Sequence, residues 1–250
     1  MSEHIPAKIQ ARPGMVANGY PIGMLCAQWN IPFVPGDLNH ASTFDFPMRY
    51  VEVQGLIGAD ILRGDGEKFT ELMVTAAKAL ETEGVRAITS NCGFMAVYQE
   101  AVAASVDVPV FLSSLLQLNL VTRMVGTNRR VGILAANSGA VTADLLSHVG
   151  FADTHRIVVQ GLEAFPHFHE VIFDEVGEME PLRFADEIVE GARQLQTNNP
   201  DIGAIVVECS DLPAYSAAIR EATGLPVFDW ASFIDYVHHA VVPRTYTGTY

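Results

Sequence analysis

Short, almost unbroken apolar runs alternate along the chain with longer stretches whose apolar residues recur at helical spacing. The runs are IGMLCA from Ile22, MRYVEVQ from Met48, VRAITS from Val85, PVFLS from Pro109, RVGILAA from Arg130, RIVVQ from Arg156, GAIVVE from Gly203 and PVFD from Pro226. Such runs suit strands covered on both faces, as in a parallel sheet. KFTELMVTAAKALETEG from Lys68 and RFADEIVEGARQLQ from Arg183 carry the apolar stripes of helices. Gly84 stands where the first of these needs a left-handed C-cap. The alternation predicts an α/β fold with crossover helices over parallel strands. Residues 1–19 hold Pro6, Pro13 and Gly14 without periodicity and read as an extended arm.

The pattern repeats. VRAITSNCGFMAVYQEAVAASVDVPVF from Val85 aligns without a gap on IGAIVVECSDLPAYSAAIREATGLPVF from Ile202. Identities fall at Ala87/Ala204, Ile88/Ile205, Cys92/Cys209, Tyr98/Tyr215, Ala101/Ala218, Pro109/Pro226, Val110/Val227 and Phe111/Phe228. Upstream, IGMLCAQ from Ile22 resembles VGILAAN from Val131 at a similar separation. A period of half the chain predicts two pseudo-symmetric flavodoxin-like units, with the active site between them. The expected division is residues 1–19 as arm, 20–126 and 127–240 as the two units, and 241–250 as a tail that exchanges with the other half or with a neighbour.

The formal net charge of −14 shows no basic patch and argues against nucleic acid and anionic membranes as partners. It also means that a carboxylate substrate needs local positive potential from backbone amides or helix ends. No apolar run approaches the ~20 residues that span a bilayer, and the first residues lack the core of a signal peptide. Three cysteines without regular spacing form no disulfide framework, so the expectation is a reducing cytoplasm.

Cys92 and Cys209 each fall between a strand and a helix, where α/β sheets bind ligands. A helix N-terminus there favours a thiolate, lowering the thiol below its usual pKa of about 8.5. Two sulfurs on opposite faces of one carbon form the acid/base pair that stereoinversion requires. The absence of a C-x-x-C motif speaks against a redox pair. Cys26 lies inside a strand, its repeat partner is Ala135, and it reads as core.

TSNCGF around Cys92 and VVECSDLP around Cys209 resemble the two cysteine motifs of the aspartate/glutamate racemase superfamily, which includes hydantoin racemases, maleate isomerases and arylmalonate decarboxylases. GDLNHASTF from Gly36, NCGFMAVYQ from Asn91, PVFLSSLLQL from Pro109 and ECSDLPAYSAAIREATGLPVFD from Glu208 are similar to the branch of algal dimethylsulfoniopropionate lyases. The resemblance implies no metal or cofactor, with Cys92 and Cys209 as the acid/base pair. It implies that Asn91, Gly93 and Ser210 present donors to a substrate carboxylate. Asp211 stands where the family often has Glu after its second Cys-Thr, and Ser210 replaces that Thr. Asn91, Gln28 and Asn30 replace acids of the lyase branch, which weakens attraction for a sulfonium.

The first expectation is a racemase or epimerase of an amino acid or related small carboxylate, working as a homo-oligomer. The alternatives are β-elimination in the same site and a non-catalytic carboxylate-binding protein. Gln28 and Asn137 end the first strand of each half; each binds substrate or caps the next turn. Glu208 has two open placements: into the site, where it raises the Cys209 thiol, or away, as an ion-pair residue. His167 and His169 in FPHFHE read as a surface loop, and His238 and His239 as part of a C-terminal helix. Tyr98 and Tyr215 read as core. Residues 29–46, rich in Pro and aromatics, read as a substrate-covering loop with Trp29 able to stack on a cation.

Overall fold

The apolar runs form β1 (Ile22–Gln28), β2 (Met48–Ile57), β3 (Ala87–Ser90), β4 (Val110–Phe111), β5 (Arg130–Ala135), β6 (Ile157–Gly161), β7 (Ile202–Val207) and β8 (Val227–Phe228). In the computed structural model, which describes residues 8–11, 13–62, 66–246 and 248–249, they make two four-stranded parallel sheets. The orders β2-β1-β3-β4 and β6-β5-β7-β8 are the same path traced twice. Most of the predicted arm's start, residues 1–7 and 12, lies outside the described residues, as do 247 and 250 of the tail. The described part of the arm forms no helix or strand.

The helices are α1 (Gly58–Leu62), α2 (Thr70–Glu83), α3 (Gln99–Ala103), α4 (Leu118–Met124), α5 (Ala143–His148), α6 (Pro166–Ile172), α7 (Pro181–Asn198), α8 (Ser216–Thr223) and α9 (Trp230–Val241). In α2, Met73, Ala77 and Leu80 fall on one face and are fully buried, each large side chain worth about 2 kcal/mol. Gly84 ends it with φ 92°, and its amide bonds the Glu81 carbonyl at 2.9 Å. Pro181 opens α7, whose Phe184, Ile188, Ala192 and Leu195 form its buried stripe.

Each half covers the other's sheet with the segment after its fourth strand. Ser114, at the start of the 3-10 turn Ser114–Gln117, donates to the Val207 carbonyl at 2.8 Å, and α4 packs on β5. Reciprocally, Trp230 and Ile234 of α9 are buried against Ile22, Met24 and Ala87 on the second face of the first sheet. The exchange therefore begins at Trp230 rather than in the tail at 241, because that apolar face of β1 and β3 needs a cover. Among the described residues, no helix is long and apolar enough to cross a membrane.

Candidate active site

Strands β3 and β7 run centrally in their sheets and deliver the two cysteines at their carboxyl ends. Cys92 is extended (φ −153°, ψ 128°) and precedes the 3-10 helix Gly93–Tyr98. The amides of Phe94 and Met95 turn back onto its sulfur. Cys209 opens the turn leading to the 3-10 helix Pro213–Tyr215, its carbonyl accepting the Leu212 amide at 3.3 Å. Both thiols are buried and both line one cavity, closed over by Trp29, Ile31, Leu62 and Ile172. Its volume of about 20 Å³ has room for about one water. Trp29 also borders an open pocket of about 540 Å³ with Phe33, Glu52 and Glu175.

The carboxyls of this cavity belong to the second half. Glu208, 1% exposed, points inward, resolving its two open placements. One of its oxygens accepts the Ala136 amide at 3.2 Å, and the other lies over Gly93. A Cβ on Gly93 would overlap that carboxyl and lie 2.7 Å from the Glu208 carbonyl. Burial pushes Glu208 up to about 8, against the Ala136 hydrogen bond, and the Asp211 charge adds to the rise. The Cys209 thiol donates to Asp211 Oδ2 at 3.1 Å. Burial, then the Asp211 and Glu208 charges, hold this thiol well above its ordinary range. Burial and Glu208 do the same to Cys92, opposed by the Phe94 and Met95 amides. The expected lowering of both thiols by helix ends is thus reversed: the helices that follow are short 3-10 turns, and desolvation outweighs their few amides.

No protein-family model matches the chain. It is 32% identical over 221 residues to dimethylsulfoniopropionate lyase 7 of Emiliania huxleyi (strain CCMP1516), a match covering 84% of this chain and 64% of that protein. It is 32% identical over 216 residues to the dimethylsulfoniopropionate lyase of Durusdinium sp. clade D, covering 83% and 70%. The chain belongs to the dimethylsulfoniopropionate lyase family. It spans less than two thirds of the length of the first of these relatives. Its fold is that of the aspartate/glutamate racemase superfamily. An arylmalonate decarboxylase matches with TM-score 0.56 at 16% identity, covering 90% of this chain and 93% of that one. A glutamate racemase from Bacillus anthracis matches at 0.58 and 14%, covering 90% and 83%.

Within this lyase-family chain, Gly93, Ser210 and Asp211 join the two cysteines at the cavity. The Ser210 hydroxyl is spent on the Asn91 carbonyl at 2.7 Å. Asn91 does not present its side chain to the cavity: its Oδ1 accepts the Ala27 amide at 2.9 Å, tying β3 to β1. Asn137 caps the turn after β5, accepting the Gly139 amide at 3.0 Å. Gln28 hydrogen-bonds Glu52, and Asn30 is fastened to Glu175 by two bonds, 2.7 and 2.9 Å; both line the open pocket instead. His167 and His169 lie in α6 and not in a surface loop. Pro166 opens that helix and Glu187 receives its first amides. His167 is buried between Glu170 and the Glu180 amide, a structural role. His238 stacks on Phe46 at 3.7 Å. Tyr98 is core, whereas Tyr215 is half-buried against Phe184. Cys26 is core, its thiol pushed up to about 12 by burial.

Sequence reasoning missed Asp37. It lies in the loop after β1, is 2% exposed and lines a small void together with Asp211; burial first, and then the Asp211 charge, push its carboxyl well above the usual range. The signal was a lone Asp inside the family-like GDLNHASTF stretch, with nothing to separate it from an ordinary turn Asp.

Proposed function

We propose that this chain performs β-elimination on a small carboxylate bearing a sulfonium, the reaction named for its relatives, with Cys92 as base. The observation that carries this is the charge of the cavity. Its described lining offers two thiols and the carboxyls of Glu208 and Asp211, and no Lys, Arg or His. Such a lining repels a dicarboxylate amino acid but suits a zwitterion carrying a cation.

The reaction follows from the asymmetry of the two thiols. Cys92 has two amides facing its sulfur, whereas Cys209 has one, from Asp211, and a carboxylate accepting its proton. Cys92 therefore reaches the thiolate first. An arriving sulfonium lowers this thiol's pKa by Coulomb attraction, generating a strong base in contact with the substrate. The thiolate takes the α-proton. The C–H pair becomes the new C=C bond, and the C–S pair leaves with neutral dimethyl sulfide, giving acrylate. Glu208, pushed up to about 8, holds a proton at pH 7 and donates to the carboxylate, where charge builds. Cys209, held as a thiol, adds no second negative charge beside the substrate carboxylate.

Headspace detection of dimethyl sulfide from dimethylsulfoniopropionate tests this reading, and absence of product at any pH from 6 to 9 would sink it. Racemisation is the second reading, supported by two thiols in one cavity. It predicts α-deuteration of aspartate, glutamate or substituted hydantoins in D₂O. Tight carboxylate binding without product or exchange would instead support a non-catalytic role.

A further inference from the structure

The closed cavity has room for about one water, so its cover has to move before any substrate reaches the sulfurs. That cover includes Trp29 and Ile31, and the residue between them is pinned across the two halves. Glu175, in the loop between α6 and α7, accepts the Asn30 amide on Oε2 at 2.7 Å, and its carbonyl accepts the Asn30 side-chain amide at 2.9 Å. Two residues on, a Cβ on Gly177 would lie 3.2 Å from Asn30 Nδ2. The Val176 amide ties this loop back to the Glu170 carbonyl at 3.3 Å. Among the described residues, Glu175 is the one non-glycine with positive φ, 49°. That conformation is unfavourable to a residue with a Cβ and persists where its surroundings hold it. On the other side, the Trp29 indole lies against Gly58, where a Cβ would come within 2.3 Å of the ring. The indole is thus held between a backbone seat and a clasp on the next residue.

Glu175 also lines the open pocket of about 540 Å³, with Trp29, Phe33 and Glu52. The described lining of that pocket holds no Lys, Arg or His. The hydrogen-bond partners of its two carboxylates, Gln28 for Glu52 and Asn30 for Glu175, are neutral and leave their charge uncompensated. Among the described residues, no three His, Cys, Asp or Glu gather as metal ligands. Two carboxylates and two aromatic rings suit an organic onium ion, which takes both charge and ring faces. We propose that this pocket is the entry site for an onium substrate, and that Glu175 is a positioning residue that draws the cation in and, while it holds Asn30, keeps Trp29 over the sulfurs. This rests on the reading that the substrate carries a sulfonium. A cation beside the Glu175 carboxylate competes with the Asn30 amide for its charge. Loosening that clasp frees Trp29, the wall shared by pocket and cavity, to admit the molecule. An anion gains nothing from this pocket, so the gate selects by charge before any bond is broken.

The test is peptide-resolved labelling of Cys92 and Cys209, in the full chain, with three thiol reagents: neutral iodoacetamide, a trimethylammonium methanethiosulfonate and a sulfonate methanethiosulfonate. In the wild type the cationic reagent should outpace the anionic one at least about tenfold. Glu175→Gln keeps an acceptor for Asn30 without the charge. Its cation preference should fall at least about threefold, while iodoacetamide labelling stays within about twofold. Glu175→Ala removes the acceptor, and iodoacetamide labelling of both thiols should rise at least about fivefold. The rise at Cys26 should be smaller, because that thiol already lines the open pocket. Glu178→Gln, in the same loop but outside the pocket lining, is the charge control. A cation preference unmoved by Glu175→Gln, or lowered as much by Glu178→Gln, overturns the entry site. Iodoacetamide rates unmoved by Glu175→Ala overturn the latch. Labelling needs no turnover: charge selection by Glu175 with no dimethyl sulfide from dimethylsulfoniopropionate would uphold the entry site and remove the lyase reading. Dimethyl sulfide without charge selection would do the reverse.

Discussion

Asn91 and Glu208 are counterparts in the two halves, and their side chains do the same structural task with different charge. Asn91 accepts the Ala27 amide at 2.9 Å, and Glu208 accepts the Ala136 amide at 3.2 Å. Their own amides bond Leu25 and Leu134, at 3.2 and 2.9 Å. The fold needs an acceptor at both places, and an amide suffices. The carboxyl at 208 therefore answers to chemistry, and Glu208→Gln should preserve the fold while altering pH behaviour. Because Glu208 is raised to about 8, its contribution to stability is full below about pH 4.5 and lost as pH rises through 8. The Gln variant should gain on the wild type between pH 6 and 9, by about 3 kcal/mol, in urea denaturation. The alkaline fall in wild-type activity near pH 8 should flatten.

The two thiols should prove unequal. Elimination requires one base, so Cys92→Ser should reduce kcat by about 10³-fold or more, and Cys209→Ser by only about 10- to 100-fold. Equal and near-complete loss in both variants would point to a two-base exchange reaction. Single-turnover assays on both proteins decide it.

Gly93→Ala should be inactive and destabilised by about 1–3 kcal/mol, since its Cβ meets the Glu208 carboxyl and carbonyl. Adding Glu208→Ala removes the carboxyl but leaves the carbonyl, so stability should recover only in part. A double-mutant cycle by thermal denaturation gives the coupling.

Trp29 separates the closed cavity from the open pocket. Trp29→Ala should speed alkylation of Cys92 and Cys209 at least about tenfold at fixed pH, and by more than that of Cys26, which already lines the open pocket beside Trp29. Mass spectrometry of the labelled peptides reads all three sites at once.

The strands were legible because parallel strands under helices are apolar throughout, and the repeat made the two-sheet plan readable. Gly84 and Pro181 marked helix ends for local steric reasons. The cysteines were legible as the identity pair that interrupts otherwise interchangeable apolar positions. Asp37 was not, because its burial arises where the first and second halves meet, which no local pattern encodes. The thiol environment was misread for a related reason. Desolvation depends on what closes over the cavity, here Trp29, Ile31, Leu62 and Ile172, which come from separate stretches of chain. The placement of α9 was similarly set by the partner face it covers.

A cleft that narrows to the space of a single water has a practical corollary for crystallography. Crystals grown of the bare protein and then soaked would admit nothing to the sulfurs, because lattice contacts would hold the covering side chains as they stand. Compounds would have to be mixed with the chain before nucleation, while its halves are still free to part.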